Sequence, residues 1–142
     1  MFIPDRQSSR IGGAEYRVTC LSVGNPHCVV FCERVDAVDV PGLGPAFENA
    51  PIFPERINTE FIRVVNPRTI KMRVWERGSG ETMACGTGAC AAVAAAVANG
   101  LCDPDCDVSV RCAGGELLVH YTPEGITLTG DTRLVYTGET EY

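Results

Sequence analysis

Positive charge is scarce in this sequence and nowhere gathered. Twelve basic residues stand against 18 acidic ones, a net charge of −6, and no stripe of Lys and Arg runs along any segment. Nucleic acid is therefore not an expected partner. An acidic chain must also hold a small anion with local donors, because its overall field repels one. No apolar run reaches the ~20 residues a membrane-spanning helix needs. Residues 1–13 lack the pattern of a signal peptide, so a cytoplasmic location is expected. No C-x-x-C pair occurs among the eight cysteines, which leaves structural zinc weakly supported and no metal expected. Reduced core thiols are the expectation; Cys102 and Cys106 flank a Pro-containing turn and are the pair to test for a disulfide.

What is there fits one domain: 142 residues, 45% hydrophobic and 21% charged. The chain is organised around Gly80–Gly100. A polar loop leads to Cys85, then Gly86 and Gly88, then a run of Ala, Val and Cys to Asn99. Alanine is the best helix former, and Asn99-Gly100 is a good stop. Cys90, Val93, Val97 and Leu101 share one face, the other faces carry Ala, and no charge interrupts the run, so a helix buried all round is expected. Cys85 stands before its first turn, where backbone N–H groups lack partners and carry partial positive charge. Gly86 and Gly88 leave those groups accessible. The expectation is a thiol with a lowered pKa beside a cradle for a carboxylate, the equipment for removing a proton alpha to that carboxylate. The plainer alternative is a small buried cysteine at a helix start. A loose G-x-G-x-x-A over 86–91 lacks the preceding strand that dinucleotide binding requires.

Along the chain, Met1–Gly13 reads as a connector. Strands are expected at Glu15–Val23, His27–Glu33, Thr59–Val65, Ile70–Glu76, Asp107–Cys112, Glu116–Tyr121, Gly125–Thr129 and Thr132–Thr137, with a short helix over Leu43–Ala50. Asn66-Pro67-Arg68-Thr69 suits a hairpin. The fold class predicted is α+β, a mostly antiparallel rolled sheet around one central apolar helix.

Polar groups cluster at loop positions: Asn25 and His27 after Gly24, Asn58, and Glu76-Arg77 at a strand end. Each has a dull explanation alone: a turn, a strand cap, a solvated pair. Together with Cys85 they suit an amino-acid ligand, with amides and an arginine for carboxylates and a carboxylate for an ammonium. Gly-Asn-Pro-His-Cys-Val at 24–29, Arg-Ile-Asn at 56–58, Val-Trp-Glu-Arg-Gly at 74–78 and Glu-Thr-Met-Ala-Cys-Gly-Thr-Gly-Ala-Cys-Ala-Ala at 81–92 follow in this order. In these motifs the sequence resembles the C-terminal half of diaminopimelate epimerase.

The resemblance implies a cofactor-independent epimerase, acting without pyridoxal phosphate on LL- and meso-diaminopimelate in lysine and peptidoglycan-precursor synthesis. It implies two similar domains with the substrate between them, and a homodimer with Tyr136 at the contact. Residue by residue it makes Cys85 one of two catalytic thiols and gives the α-carboxylate to the N–H groups of Gly86 and Thr87. Glu76 takes the α-ammonium, Arg77 with Asn25 and Asn58 the distal end, and His27 tunes the site. No second Cys-Gly-x-Gly helix start occurs, so residues 1–142 are expected to be the C-terminal domain, with the other thiol on an N-terminal domain absent from this chain. Two alternatives stay open: a racemase of another amino acid on the same fold, and a carboxylate-binding domain without turnover.

Overall fold

The computed structural model describes residues 7–141. Its described strands form one nine-stranded mixed sheet. They are β1 (Gln7–Ile11), β2 (Ala14–Ser22), β3 (Pro26–Phe31), β4 (Asn58–Asn66), β5 (Thr69–Glu76), β6 (Gly80–Thr82), β7 (Asp107–Cys112), β8 (Gly115–Thr122) and β9 (Gly125–Thr129). The order is β1-β2-β3-β4-β5-β7-β8-β9; β7 pairs with the start of β5 and β6 with its end. Pairings β3–β4 and β5–β7 are parallel and the other six are antiparallel.

Two helices cover opposite faces. Helix α1 (Val40–Glu48) follows β3, and helix α2 (Gly86–Ala98) follows β6. Alternation along β3 and β4 shows the division. Val29 and Ile62 join the alanines of α2 in one core, while Cys28, Val30 and Phe61 join Val40 and Phe47 of α1 in another. Side chains on a strand point to alternate faces, so both strands are apolar on both sides. Phe47 packs edge-on against Tyr16 and Phe61, at centroid distances of 5.0 and 5.4 Å.

Helix α2 touches β2, β3, β4, β5, β7, β8 and β9. Ala89, Ala91, Ala92, Val93, Ala94, Ala95 and Ala96 are all fully buried. The expectation of burial all round is not met in full: Cys90 and Val97 are half-buried, and Thr87 and Ala98 are exposed. The most buried face is made of the smallest side chains. A methyl group lets strand backbones approach the helix closely, and its burial costs no rotamer entropy.

Other expectations are corrected at the ends of the chain. Residues 1–6 of the expected connector lie outside the described residues, but Gln7–Ile11 is a strand paired with β2. The turn between them is Gly12-Gly13, both at positive φ, and ladder pairing needs no apolar alternation. The strand expected at Thr132–Thr137 does not form. The ladder ends at Thr129, and Leu134, Val135 and Tyr136 are 83, 88 and 81% exposed. Helix α1 starts three residues before the expected Leu43, because Asp39 caps it by accepting from Gly42 N at 3.1 Å and Pro41 sits in the first turn, where no N–H is needed. Gly44 of α1 lies flat on Trp75; a Cβ there would enter the indole ring.

Candidate active site

The site gathers at the N-terminus of α2, against the ends of β3, β4 and β5. Cys85 is the helix N-cap, and its Sγ accepts from Gly88 N at 3.3 Å. Thr87 Oγ1 lies 3.6 Å from the same sulfur. Leu128 of β9 stands over Gly86, where an added Cβ would fall 2.9 Å from Leu128 Cδ2. Gly88 admits a second neighbour: a Cβ there would lie 2.7 Å from Glu60 Oε1 and 3.2 Å from the Cys85 sulfur.

The parallel register of β3 and β4 sets His27 opposite Asn58. His27 is fully buried, its Nδ1 2.6 Å from Glu60 Oε1 and its Nε2 2.9 Å from Asn25 Oδ1. Asn25 Nδ2 donates to Thr87 Oγ1 at 3.2 Å. Asn58 bridges strands: its Oδ1 accepts from Arg77 N at 2.8 Å and its Nδ2 donates to Pro26 O at 3.0 Å. Glu76 accepts from the Thr82 hydroxyl at 2.6 Å across the β5–β6 turn. The Arg77 guanidinium donates to Glu55 O at 3.0 Å. Asn25, His27, Thr87 and Cys85 thus form one connected group, and Asn58 ties Arg77 to the loop carrying Asn25. Tyr136 lies on the exposed tail after β9.

The expected drop in the Cys85 pKa is not what the surroundings produce. Burial pushes this thiol up, and the carboxylates of Glu76 and Glu60 add to the rise; the Thr87 hydroxyl and Gly88 N–H oppose it and lose. The helix start supplies donors, yet lost hydration, with the two acidic side chains added to it, outweighs them. Cys20 is the thiol whose pKa falls, because it accepts a hydrogen bond from Cys28 across β2–β3. All eight cysteines are free thiols, including Cys102, which burial pushes up to about 11, and Cys106, whose Sγ donates to Asp103 O.

Glu60 and Thr82 escaped the sequence reading. Glu60 falls inside the expected strand Thr59–Val65, and there it shares a face of β4 with Ile62 and Val64. An acid on an apolar face was the signal that could have marked it. A groove of about 610 Å³ opens beside Thr87 and Cys90, lined also by Ser22, Val23, Gly24, Gly125 and Ile126. Cys85, Glu76 and Arg77 stand outside its lining.

The turn that carries Arg77 is anchored from α1. Glu48, 6% exposed, accepts from Trp75 Nε1 at 2.7 Å, Gly78 N at 2.9 Å and Arg56 Nη1 at 2.7 Å. The Trp75 indole N–H chiefly holds its carboxyl below the usual value of 4.5, with help from Gly78 and Arg56 against the effect of burial. A depressed folded-state pKa contributes stability above the unfolded value, and that contribution disappears as pH falls through the folded one. Glu48→Gln is expected to lower stability at neutral pH by about 1–3 kcal/mol for the donors left poorly matched. The gap from wild type should narrow as pH falls below about 4.5, read from urea midpoints at several pH values. A gap independent of pH would show that the Glu48 charge is not what holds the turn.

Solved structures share this architecture. A protein described as a predicted epimerase from Pseudomonas aeruginosa aligns with a TM-score of 0.55 at 18% identity, over 90% of this chain and 48% of that one. A PhzF-family phenazine biosynthesis protein from Bacillus anthracis aligns with a TM-score of 0.54 at 17% identity, over 80% and 36%. The fold is thus shared with a PhzF-family protein and a predicted epimerase, and this chain covers under half of either structure. Within that class the chain belongs to the diaminopimelate epimerase family, whose model matches residues 19–141. It is 51% identical over 134 residues to the diaminopimelate epimerase of a Cyanothece strain, covering 93% of this chain and 47% of that protein. It is 52% identical over 133 residues to that of Pelotomaculum thermopropionicum, covering 92% and 46%. The chain spans about half the length of the curated relatives it matches. Among the described residues, no helix is long and apolar enough to cross a membrane.

Proposed function

We propose that this chain is the C-terminal half of a cofactor-independent diaminopimelate epimerase, supplying one catalytic thiol and much of the substrate site. The observation that carries the reading is Cys85 at the N-cap of α2, with Gly86 and Thr87 leading the helix and Glu76 and Asn25 beside it. In this reading α2 is the central helix of a rolled sheet. The N–H groups of Gly86 and Thr87 receive the α-carboxylate, Glu76 the α-ammonium, and Arg77 with Asn25 and Asn58 the distal end. Cys85 as thiolate takes the α-proton; the electron pair of the broken C–H bond spreads into the carboxylate. A thiol of the N-terminal domain returns a proton to the opposite face. Donors at the helix start stabilise the charge as it develops. The substrate ammonium would also offset the Glu76 and Glu60 carboxylates, which add to the burial that holds the free thiol's pKa up. Tyr136, exposed on the tail, serves a homodimer contact, and the location is cytoplasmic.

Stereoinversion needs an acid and a base on opposite faces, so the isolated 142-residue chain is expected not to epimerise. The test incubates it with LL-diaminopimelate in deuterium oxide and follows the α-proton by NMR. No exchange alone, and exchange with inversion once the N-terminal half of the Pelotomaculum relative is added, is the expected result. Inversion by the chain alone would overturn the half-site reading. No exchange in the reconstituted protein would leave only a binding domain.

A further inference from the structure

Glu60 has no part in the reaction above, yet it lies fully buried in β4 with Oε1 2.6 Å from His27 Nδ1 and Oε2 without a hydrogen-bond partner. A carboxylate taken out of water is destabilised unless its charge is balanced. The groups acting on it or feeling it are His27, Glu76 and the thiols of Cys20, Cys28 and Cys85; His27 alone among them can be a cation. The pair is therefore neutral as a unit, either imidazolium with carboxylate or imidazole with carboxylic acid. Both forms carry the same number of protons, and in both Nε2 bears one. Burial raises the Glu60 pKa, which favours keeping that extra proton in the pair.

The consequence runs outward through fixed partners. Nε2–H donates to Asn25 Oδ1 at 2.9 Å. The amide then turns its NH₂ to Thr87 Oγ1, at 3.2 Å. A hydroxyl whose oxygen has accepted still has its own proton to give, and Cys85 Sγ lies 3.6 Å away. We infer that Glu60 is a positioning residue: by keeping a proton on His27 Nε2 it aims the donors of His27, Asn25 and Thr87 toward Cys85, so that the relay favours the thiolate. An ionised Glu60 beside a neutral His27 would leave Nε2 bare. The relay would then reverse, with the Cys85 thiol as donor. Gly88 is what admits the carboxylate to the helix start, since a Cβ there would lie 2.7 Å from Oε1.

The inference rests on Cys85 being the reacting thiol of the proposed epimerase, but its test needs no turnover. Histidine-selective ¹⁵N NMR on the 142-residue chain should show a proton on His27 Nε2. Iodoacetamide alkylation of Cys85, followed by peptide mapping against pH, should titrate about one unit higher in Glu60→Gln and in Thr87→Val, a roughly tenfold slower reaction below the pKa. The sign matters. Glu60 acting only as a nearby negative charge would raise the thiol's pKa, so its removal would speed alkylation. A bare Nε2 in the wild type overturns the proposal. So does a Glu60→Gln profile that stays put or moves down, or a Thr87→Val profile that stays put. If Glu60→Gln does not fold, the wild-type imidazole signature and Thr87→Val decide. These readouts stand whether or not α-proton exchange is found, so failure of the relay and failure of the epimerase reading are separable.

Discussion

Cys85→Ser, in this chain reconstituted with the N-terminal half of a relative, is expected to cut α-proton exchange by about 10³-fold or more while leaving the fold intact. Positioned proton transfer contributes roughly 10²–10⁴-fold, and a hydroxyl is a far weaker acid than even this raised thiol. The helix should not suffer. Serine is among the best N-cap residues, and its oxygen can accept from Gly88 N as the sulfur does. Activity and stability therefore part company in this variant. Exchange rate by NMR and the urea midpoint read them separately. Retained exchange would move the proton transfer to another group; a large loss of stability would show that the sulfur is chiefly a packing element.

Gly88→Ala is expected to act the other way, on structure first. Alanine in place of glycine inside a helix gains up to about 1 kcal/mol of propensity. Against this, the new Cβ would stand 2.7 Å from Glu60 Oε1 and 3.2 Å from Cys85 Sγ. Glu60 is fully buried and held by His27, so it cannot swing aside as a surface side chain would. Overpacking of this kind costs about 1–3 kcal/mol, which outweighs the propensity gain. The variant should have a lower urea midpoint and an altered Cys85 alkylation profile. A raised midpoint with an unchanged profile would mean that the carboxylate has slack to move.

The framework was legible in residues whose chemistry is local. Asp107–Cys112 and Gly125–Thr129 formed as read, because apolar alternation and flanking turn residues decide both. The alanine helix began and ended where Cys85 and Asn99-Gly100 predict. What escaped depended on partners distant in sequence. β1 exists because β2 offers it a ladder, not because its own residues alternate. The strand expected at Thr132–Thr137 had an apolar Leu-Val-Tyr but no neighbour to pair with. The thiol's raised pKa is hidden from the sequence for the same reason. The helix donors are visible at 86–88, whereas the burial that chiefly opposes them, and the carboxylates of positions 60 and 76 that add to it, exist only once the sheet has folded. Glu60 was the largest omission, and only its place among Ile62 and Val64 hinted at it.

The parallel pairing of β3 with β4 has a consequence for how the site assembles. Cys85 and Gly88 are three residues apart, so the thiol meets its helix donor as soon as the first turn of α2 forms. His27 and Glu60 are 33 residues apart, separated by α1 and its flanking turns. Closing a loop of that length costs about 3 kcal/mol beyond a constant term. Non-local pairings are correspondingly slow to form. On loop-closure grounds the thiol is in place before the buried pair that orients its neighbours. A state that had regained α2 but not yet the His27–Glu60 pair would hold Cys85 at an open helix start, solvated and without its orienting neighbours.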